Sequence, residues 1–98
     1  MNYAKYKSNG NFVISEVAGE TVIVPMTGSV AKMGKLIILN STSSFIVKYV
    51  AEPHTVAEIA KALSTEYEVP DEGVLMADIQ EFIDHMVERG LFSEVTEE

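Results

Sequence analysis

The chain has 98 residues and a mass of 10.8 kDa, which fits a single domain. Its composition, 47% hydrophobic and 22% charged, is that of a globular protein, and the absence of cysteine excludes disulfides, thiolate metal sites and a thiol nucleophile. The net charge of −8 is unevenly divided, because residues 1–65 carry +2 and residues 66–98 carry −10. The sequence has neither a signal-peptide pattern nor an apolar run of the ~20 residues that a membrane span needs, so we expect a cytoplasmic protein that does not bind membranes.

The first third of the chain predicts three strands. Residues 1–10 are expected to form a flexible N-terminal arm. Residues 11–17 and 20–25 are rich in β-branched side chains and flank the two-residue turn Ala18-Gly19, which predicts a hairpin. A third strand is expected at residues 35–39, KLIIL, where four successive residues are apolar.

Two helices are predicted next. The polar residues 40–43 offer N-caps for a first helix that ends before Pro53. Thr55 and Glu58 match a capping box, which predicts a second helix over about residues 55–66.

A third helix is expected from the Asp71 cap to about Arg89. Gly90 is placed to end this helix, with Leu91 as the apolar partner of a Schellman-type cap. Residues 93–98 then form an acidic tail. Three antiparallel strands followed by three helices predict an α+β winged helix-turn-helix domain over residues 11–92.

The charges of the third helix argue against nucleic acid as a partner. A recognition helix needs cations for phosphates, whereas this helix has one cation, Arg89. Its outward side is predicted to be acidic and to carry Asp78, Glu81, Asp84 and Glu88. A DNA-binding regulator therefore remains only an alternative that the fold type suggests.

Catalytic and metal sites are not indicated either. The two imidazoles, His54 and His85, have no nucleophile and base at a recognisable spacing. Glu81 and His85 stand four residues apart, but the sequence adds no further nitrogen or sulfur ligand, so a solvated polar face is the better interpretation. We therefore predict that the protein is not an enzyme and has no cofactor and no metal.

The apolar strand KLIIL, residues 35–39, is expected to be shielded from solvent by another segment or by a partner. An apolar strand at the edge of a sheet is an aggregation hazard unless a partner pairs with it, and a peptide can do so by strand addition. The strand is equally well explained if it is central in the sheet or covered by helices. A third possibility is that the edge pairs with itself in a structural, self-associating module.

The order of several segments resembles the PqqD family, small peptide chaperones also described as RiPP precursor recognition elements. The segments are VISEVAGETVIVP, GKLIILNSTSSFIVKYV, HTVAEIAKALSTEYEVP and a helix ending in ERGLF, and the likeness covers about residues 10–92. The resemblance implies a protein that binds the leader of a ribosomally made precursor peptide as an added strand. It also implies presentation of that leader to a peptide-modifying enzyme, often a radical SAM protein.

The resemblance implies a groove between the third strand and the third helix. The strand side would be Lys35, Leu36, Ile37, Ile38 and Leu39. At 100° per residue the third helix has an apolar shoulder beside its core face, and we expect this shoulder to receive leader side chains. The shoulder comprises Met76, Gln80, Ile83 and Val87, while Asp78 and Arg89 on the other shoulder are candidates for polar contacts. The uncovered edge also predicts a homodimer of the free protein.

Overall fold

The computed structural model describes residues 4–26, 37–69 and 71–95, which form six strands and three helices. In chain order they are β1 (Lys5–Ser8), β2 (Phe12–Val17), β3 (Glu20–Pro25), β4 (Ile37–Leu39), α1 (Ser41–Tyr49), β5 (His54–Thr55), α2 (Val56–Glu66), α3 (Glu72–Glu88) and β6 (Phe92–Val95). The strands form two antiparallel sheets, in the orders β2-β3-β4 and β5-β1-β6.

The sheet β2-β3-β4 is the wing that the sequence predicts. Ala18 and Gly19 have φ values of 53° and 82°, and positive φ at both central positions is what a type I′ hairpin turn requires. Glycine adopts this conformation without strain, whereas alanine there carries a steric cost. In the third strand Ile37 pairs with Ile23, while Lys35 and Leu36 lie outside the described residues.

The helix starts follow the predicted caps. The Asn40 side chain caps α1 by accepting from the Ser43 amide at 2.8 Å. At α2 the capping box is complete, because Thr55 accepts from the Glu58 amide at 3.1 Å and Glu58 accepts from the Thr55 amide at 2.9 Å. Asp71 caps α3. Each cap satisfies backbone amides that a helix start leaves unpaired.

The predicted Schellman cap at the end of α3 is also confirmed. The Leu91 amide donates to the Met86 carbonyl and the Gly90 amide to the Val87 carbonyl, both at 2.9 Å. Gly90 has a φ of 77°, the left-handed conformation that this motif needs. Leu91 and Met86 are fully buried, so the cap fixes the point at which the chain leaves α3 for β6.

The second sheet corrects the predicted chain ends. Residues 5–8 were expected in a flexible arm, but they form β1, the central strand between β5 and β6, and Tyr6 is buried. Residues 93–95 were expected in the acidic tail, but they belong to β6. The prediction is wrong there because β1 is paired by strands distant in sequence, which local composition does not reveal.

The N-terminal strand is locked onto the end of α3. Asn9 and Asn11 donate from their side-chain amides to the Gly90 carbonyl at 2.8 and 3.0 Å. The backbone N–H of Asn9 also donates to the Leu91 carbonyl at 2.9 Å. These bonds tie the residues that follow β1 to the turn that ends α3, so they stabilise the position of α3 relative to β1.

The core lies between the wing, the helices and β1. Its fully buried members include Ile23, Ile59, Ile83, Met86 and Leu91. The predicted α+β architecture, three antiparallel wing strands followed by three helices, is confirmed, with a small C-terminal strand added. In the described ranges, no helix combines the length and the apolar character needed to cross a bilayer.

Candidate functional site

The outer strand of the wing has one edge without a described partner. Among the described residues β4 pairs only with β3, which lies on its other side. Ile37 is half-buried and Leu39 is buried, whereas the Ile38 side chain, which points to the opposite face, is 64% exposed. The edge therefore offers main-chain hydrogen-bonding groups flanked by apolar side chains.

The junction between β4 and α1 is held rigidly. Asn40 follows the last residue of β4, and its Oδ1 accepts hydrogen bonds from the Thr42 hydroxyl at 2.9 Å and the Ser43 hydroxyl at 2.8 Å. The Asn40 amide donates to Ser43 Oγ at 3.0 Å. These bonds fix the direction in which β4 enters the helix, and with it the orientation of the free edge.

A cavity of about 320 Å³ lies beside this junction, between α1 and α3. Its floor is apolar, with Ile46, Leu63 and Ile79 buried there. Its described polar lining residues are Asn40, Thr42, Ser43, Glu68 and Asp78. A cavity of this size with an apolar floor suits one or two side chains of a bound peptide.

Four residues of α3 line this cavity: Leu75 and Ile79 are buried, whereas Asp78 and Phe82 form its outer wall. Asp78 and Phe82 stand four residues apart, which places them on the same side of the helix. The Phe82 ring is half-buried and makes an edge-to-face contact with the Phe92 ring, with centroids 6.2 Å apart. The Phe92 contact holds Phe82 in place at the cavity wall.

The apolar shoulder favoured from the sequence faces elsewhere. Met76 and Gln80 line a different cavity, next to β1 and β5, together with Tyr6. Gln80 Nε2 lies 3.4 Å from the Tyr6 hydroxyl and donates to Asp84 Oδ1 at 2.9 Å. Because β1 was not predicted, its position against this side of α3 could not be anticipated.

The other residues of the third helix that were predicted for the groove differ in their burial. Ile83 is fully buried in the core and has no surface for a ligand. Val87 is 38% exposed, and Arg89 is exposed at the helix end. Neither residue lines the cavity beside Asn40. Of the predicted helix residues, the structure therefore brings Asp78 alone to that cavity.

Sequence reasoning missed Phe82 and Glu68 as site residues. Phe82 is not among the residues predicted for the groove, although its spacing of four from Asp78 indicates that the two residues share a side of the helix. Glu68 lies between α2 and α3, and no local pattern indicates that this connection approaches α1. The structure adds both residues to the cavity lining.

One carboxylate of the helical region has a shifted pKa. The pKa of Glu58 is lowered below its ordinary value, mainly because its carboxylate accepts a hydrogen bond from the backbone N–H of Thr55. His54, whose Nδ1 lies 3.4 Å from Glu58 Oε1, acts in the same direction. The His54 ring stacks on Tyr49 with centroids 4.0 Å apart. This arrangement stabilises the start of α2. Within the described ranges, no three His, Asp or Glu residues converge on a metal position.

The fold and the free edge together define a winged helix-turn-helix protein with a groove-like cavity beside its wing. The family model described as coenzyme PQQ synthesis protein D (PqqD) matches residues 16–91. The chain therefore belongs to the PqqD family, and the resemblance noted from the sequence is confirmed.

Two solved structures have the same fold. One is described as lasso peptide synthetase B1 complexed with the leader peptide, with a TM-score of 0.69 and 22% identity over 90% of this chain and 96% of that chain. The other is TbiB1 in complex with the TbiA(beta) leader peptide, with a TM-score of 0.70 and 21% identity over 93% of this chain and 99% of that chain. No curated protein matches the sequence significantly.

Proposed function

We propose that the protein binds the leader segment of a ribosomally synthesised precursor peptide by strand addition to β4. The observation that carries the proposal is the outer edge of β4, with which no described residue pairs, beside the cavity of Asn40, Asp78 and Phe82. Membership of the PqqD family and the two similar structures, both described as complexes with a leader peptide, support it.

The leader would lie along residues 35–39 as a fourth strand of the wing. Main-chain hydrogen bonds supply affinity in this mode, and alternate side chains supply specificity. We propose that the leader's inward side chains enter the cavity with Asp78 and Phe82, and that the shoulder of Met76, Gln80, Ile83 and Val87 does not contact them. Pairing over a few residues plus one or two buried side chains corresponds to about micromolar affinity, about 8 kcal/mol.

The proposed role is non-catalytic. The protein would hold the leader while a separate peptide-modifying enzyme, often a radical SAM protein in this family, acts on the rest of the precursor. A leader bound along β4 would be held by its backbone, which leaves the rest of the precursor available to that enzyme.

The test is a pair of substitutions on opposite sides of α3. Met76 and Phe82 are both half-buried on this helix, and they line different cavities. With the leader of the cognate precursor peptide as the ligand, Phe82→Ala should weaken binding about tenfold, because it removes apolar contact area, and Met76→Ala should change it less than about twofold. Isothermal titration calorimetry measures both, after circular dichroism has shown that the variants fold.

NMR titration gives the second measurement. Amide shifts are expected at residues 37–40 and 78–82. Shifts confined to β1, β5 and the Met76 side of α3, together with a larger effect of Met76→Ala, would place the leader on the opposite side and overturn the groove proposed here. A leader that does not bind at all would overturn the function.

We also propose that the free protein self-associates through β4. Ile38 is 64% exposed on a strand whose outer edge has no described partner, and such edges pair with second copies. Sedimentation should detect a concentration-dependent dimer that dissociates when the leader is added. A strict monomer at high concentration contradicts this prediction.

A further inference from the structure

The cavity beside β4 combines an apolar floor with acidic groups at its rim. Glu68, from the connection between α2 and α3, and Asp78, from α3, both line it and are both exposed. The floor below them is formed by buried side chains, including Ile46, Leu63 and Ile79. The described lining residues include no lysine, arginine or histidine.

The two carboxylates are available to a ligand. Within the described part of the chain, the side-chain carboxylates of Glu68 and Asp78 have no ion-pair or hydrogen-bond partner. The neighbouring Asn40 side-chain oxygen, by contrast, already accepts hydrogen bonds from Thr42 and Ser43. The polar groups of the described cavity lining that remain available to a ligand therefore include two negatively charged carboxylates.

We propose that this cavity receives a lysine or arginine side chain of the bound peptide, and that Asp78, assisted by Glu68, selects it. The inference rests on the proposed strand addition and names the class of peptide that the groove prefers. It concerns the specificity of the groove and not a second site.

The chemistry of these two side chains matches both parts of the cavity. Lysine and arginine have an apolar stem that packs along apolar surface while the charged head reaches a polar rim. Here the stem would lie over Ile79 and the head would bind the carboxylate of Asp78. The Phe82 ring, which also lines the cavity, favours a cation near it. An acidic guest side chain would be repelled by the same rim.

The test uses a displayed library of random twelve-residue peptides, so that no natural ligand has to be known. The library is selected on the immobilised full-length protein and, in parallel, on the variants Asp78→Lys and Glu81→Lys. Glu81 is the matched control, because it is an exposed carboxylate on the same helix that does not line the cavity.

The native protein and Glu81→Lys should enrich the same peptides, with apolar residues alternating around one fixed lysine or arginine. Asp78→Lys should lose that cation and enrich aspartate or glutamate at the same position. For one enriched peptide, Asp78→Asn should weaken binding about tenfold, equivalent to about 1.4 kcal/mol. This loss should shrink at high salt, because ions screen an exposed charge pair.

The outcomes separate the two proposals. Enrichment of strand-forming peptides without a fixed cation, or the same cation preference in Asp78→Lys, overturns the cation inference and leaves strand addition standing. If no peptide is enriched on any of the three proteins, strand addition itself is overturned, and the inference with it. Asp78→Asn keeps the test valid if Asp78→Lys does not fold, since asparagine has nearly the same size and shape as aspartate but carries no negative charge.

Discussion

Ile83 and Phe82 are neighbours on α3 with different roles. Ile83 is fully buried, whereas Phe82 is half-buried and lines the cavity beside Asn40. A rotation of 100° between successive residues is enough to separate a core position from a surface one. Substitutions at the two positions should therefore affect different properties of the protein.

For Ile83 the expected effect is on stability. Ile83→Ala should lower the free energy of unfolding by about 2–5 kcal/mol, because it removes buried methylene groups and leaves a cavity in the core. Urea denaturation followed by circular dichroism measures this change. The control is Val87→Ala, one turn further along at 38% exposure, for which a change within about 0.5 kcal/mol is expected. Equal effects at the two positions would contradict the burial of Ile83.

The capping box of α2 predicts a pH dependence. The folded state lowers the pKa of Glu58 below 4.5, chiefly through the hydrogen bond from the Thr55 amide. A carboxyl whose folded pKa lies below its unfolded value contributes stability that is complete above the unfolded value and lost as the pH falls through the folded one.

Glu58→Gln should therefore lower the melting temperature at neutral pH, with a difference that shrinks at pH values below about 4. Thermal unfolding over a pH series gives the measurement, and Glu66→Gln, at the exposed other end of α2, is the control. A Glu58→Gln difference that does not vary with pH would mean that the carboxylate charge is irrelevant. Thr55→Ala, which removes the cap itself, should cost about 1 kcal/mol at any pH.

At the scale of elements, β4 has two different edges. Backbone N–H groups along an antiparallel strand point alternately to the two sides, so neighbouring residues donate in opposite directions. One of Ile37 and Ile38 therefore donates towards β3 and the other towards the free edge.

Proline substitution separates the two edges, because proline has no N–H to donate. At one position it should remove a bond to β3 and destabilise the wing, and at the other it should leave the fold intact and weaken peptide binding at least tenfold, or about 1.4 kcal/mol. Circular dichroism and calorimetry with a bound peptide distinguish these results. Ile38→Ala keeps the N–H and should bind nearly as well as the native protein. Two folded proline variants that both bind normally would exclude strand addition at β4.

At the scale of the whole molecule, charge separates this protein from DNA-binding relatives of its fold. Residues 66–98 carry a net charge of −10, and the exposed side chains of α3 include Glu81, Asp84 and Glu88. Binding to duplex DNA gains most of its affinity from cations that displace counterions at phosphates. The helix-turn-helix of this protein is instead negatively charged, like the phosphates of DNA, and would be repelled by them.

We therefore predict no useful affinity for duplex DNA. Fluorescence anisotropy with a labelled random-sequence duplex should give no saturable binding at low salt, where electrostatic attraction is strongest. Tight binding that weakens steeply as salt is added would contradict the prediction and favour a regulator that contacts DNA.

The contact with a modifying enzyme that we propose also belongs to this scale. The leader proposed for β4 would extend the wing as an additional strand, and its chain would continue beyond the small domain towards the enzyme. Unlike Asp78, the exposed carboxylates Glu81, Asp84 and Glu88 do not line the cavity proposed for the leader, so leader binding would leave these three residues free.

The sequence alone determined the features that depend on residues close together in the chain. The hairpin turn at Ala18-Gly19, the Thr55–Glu58 capping box and the Schellman cap at Gly90 each join residues a few positions apart, so their geometry follows from local chemistry. The order of these signals also carried the family resemblance and the α+β fold.

The tertiary structure alone decided which side of α3 lines the cavity beside Asn40. Helical periodicity defines the shoulders of a helix but not their neighbours. Here β1 occupies the Met76 side, held by bonds such as that from Asn9 to Gly90, which joins residues 81 positions apart. The cavity beside β4 is therefore lined by the opposite side of α3, which carries Asp78 and Phe82. Contacts at such separations depend on the packing of the whole chain, and for that physical reason no local pattern predicts them.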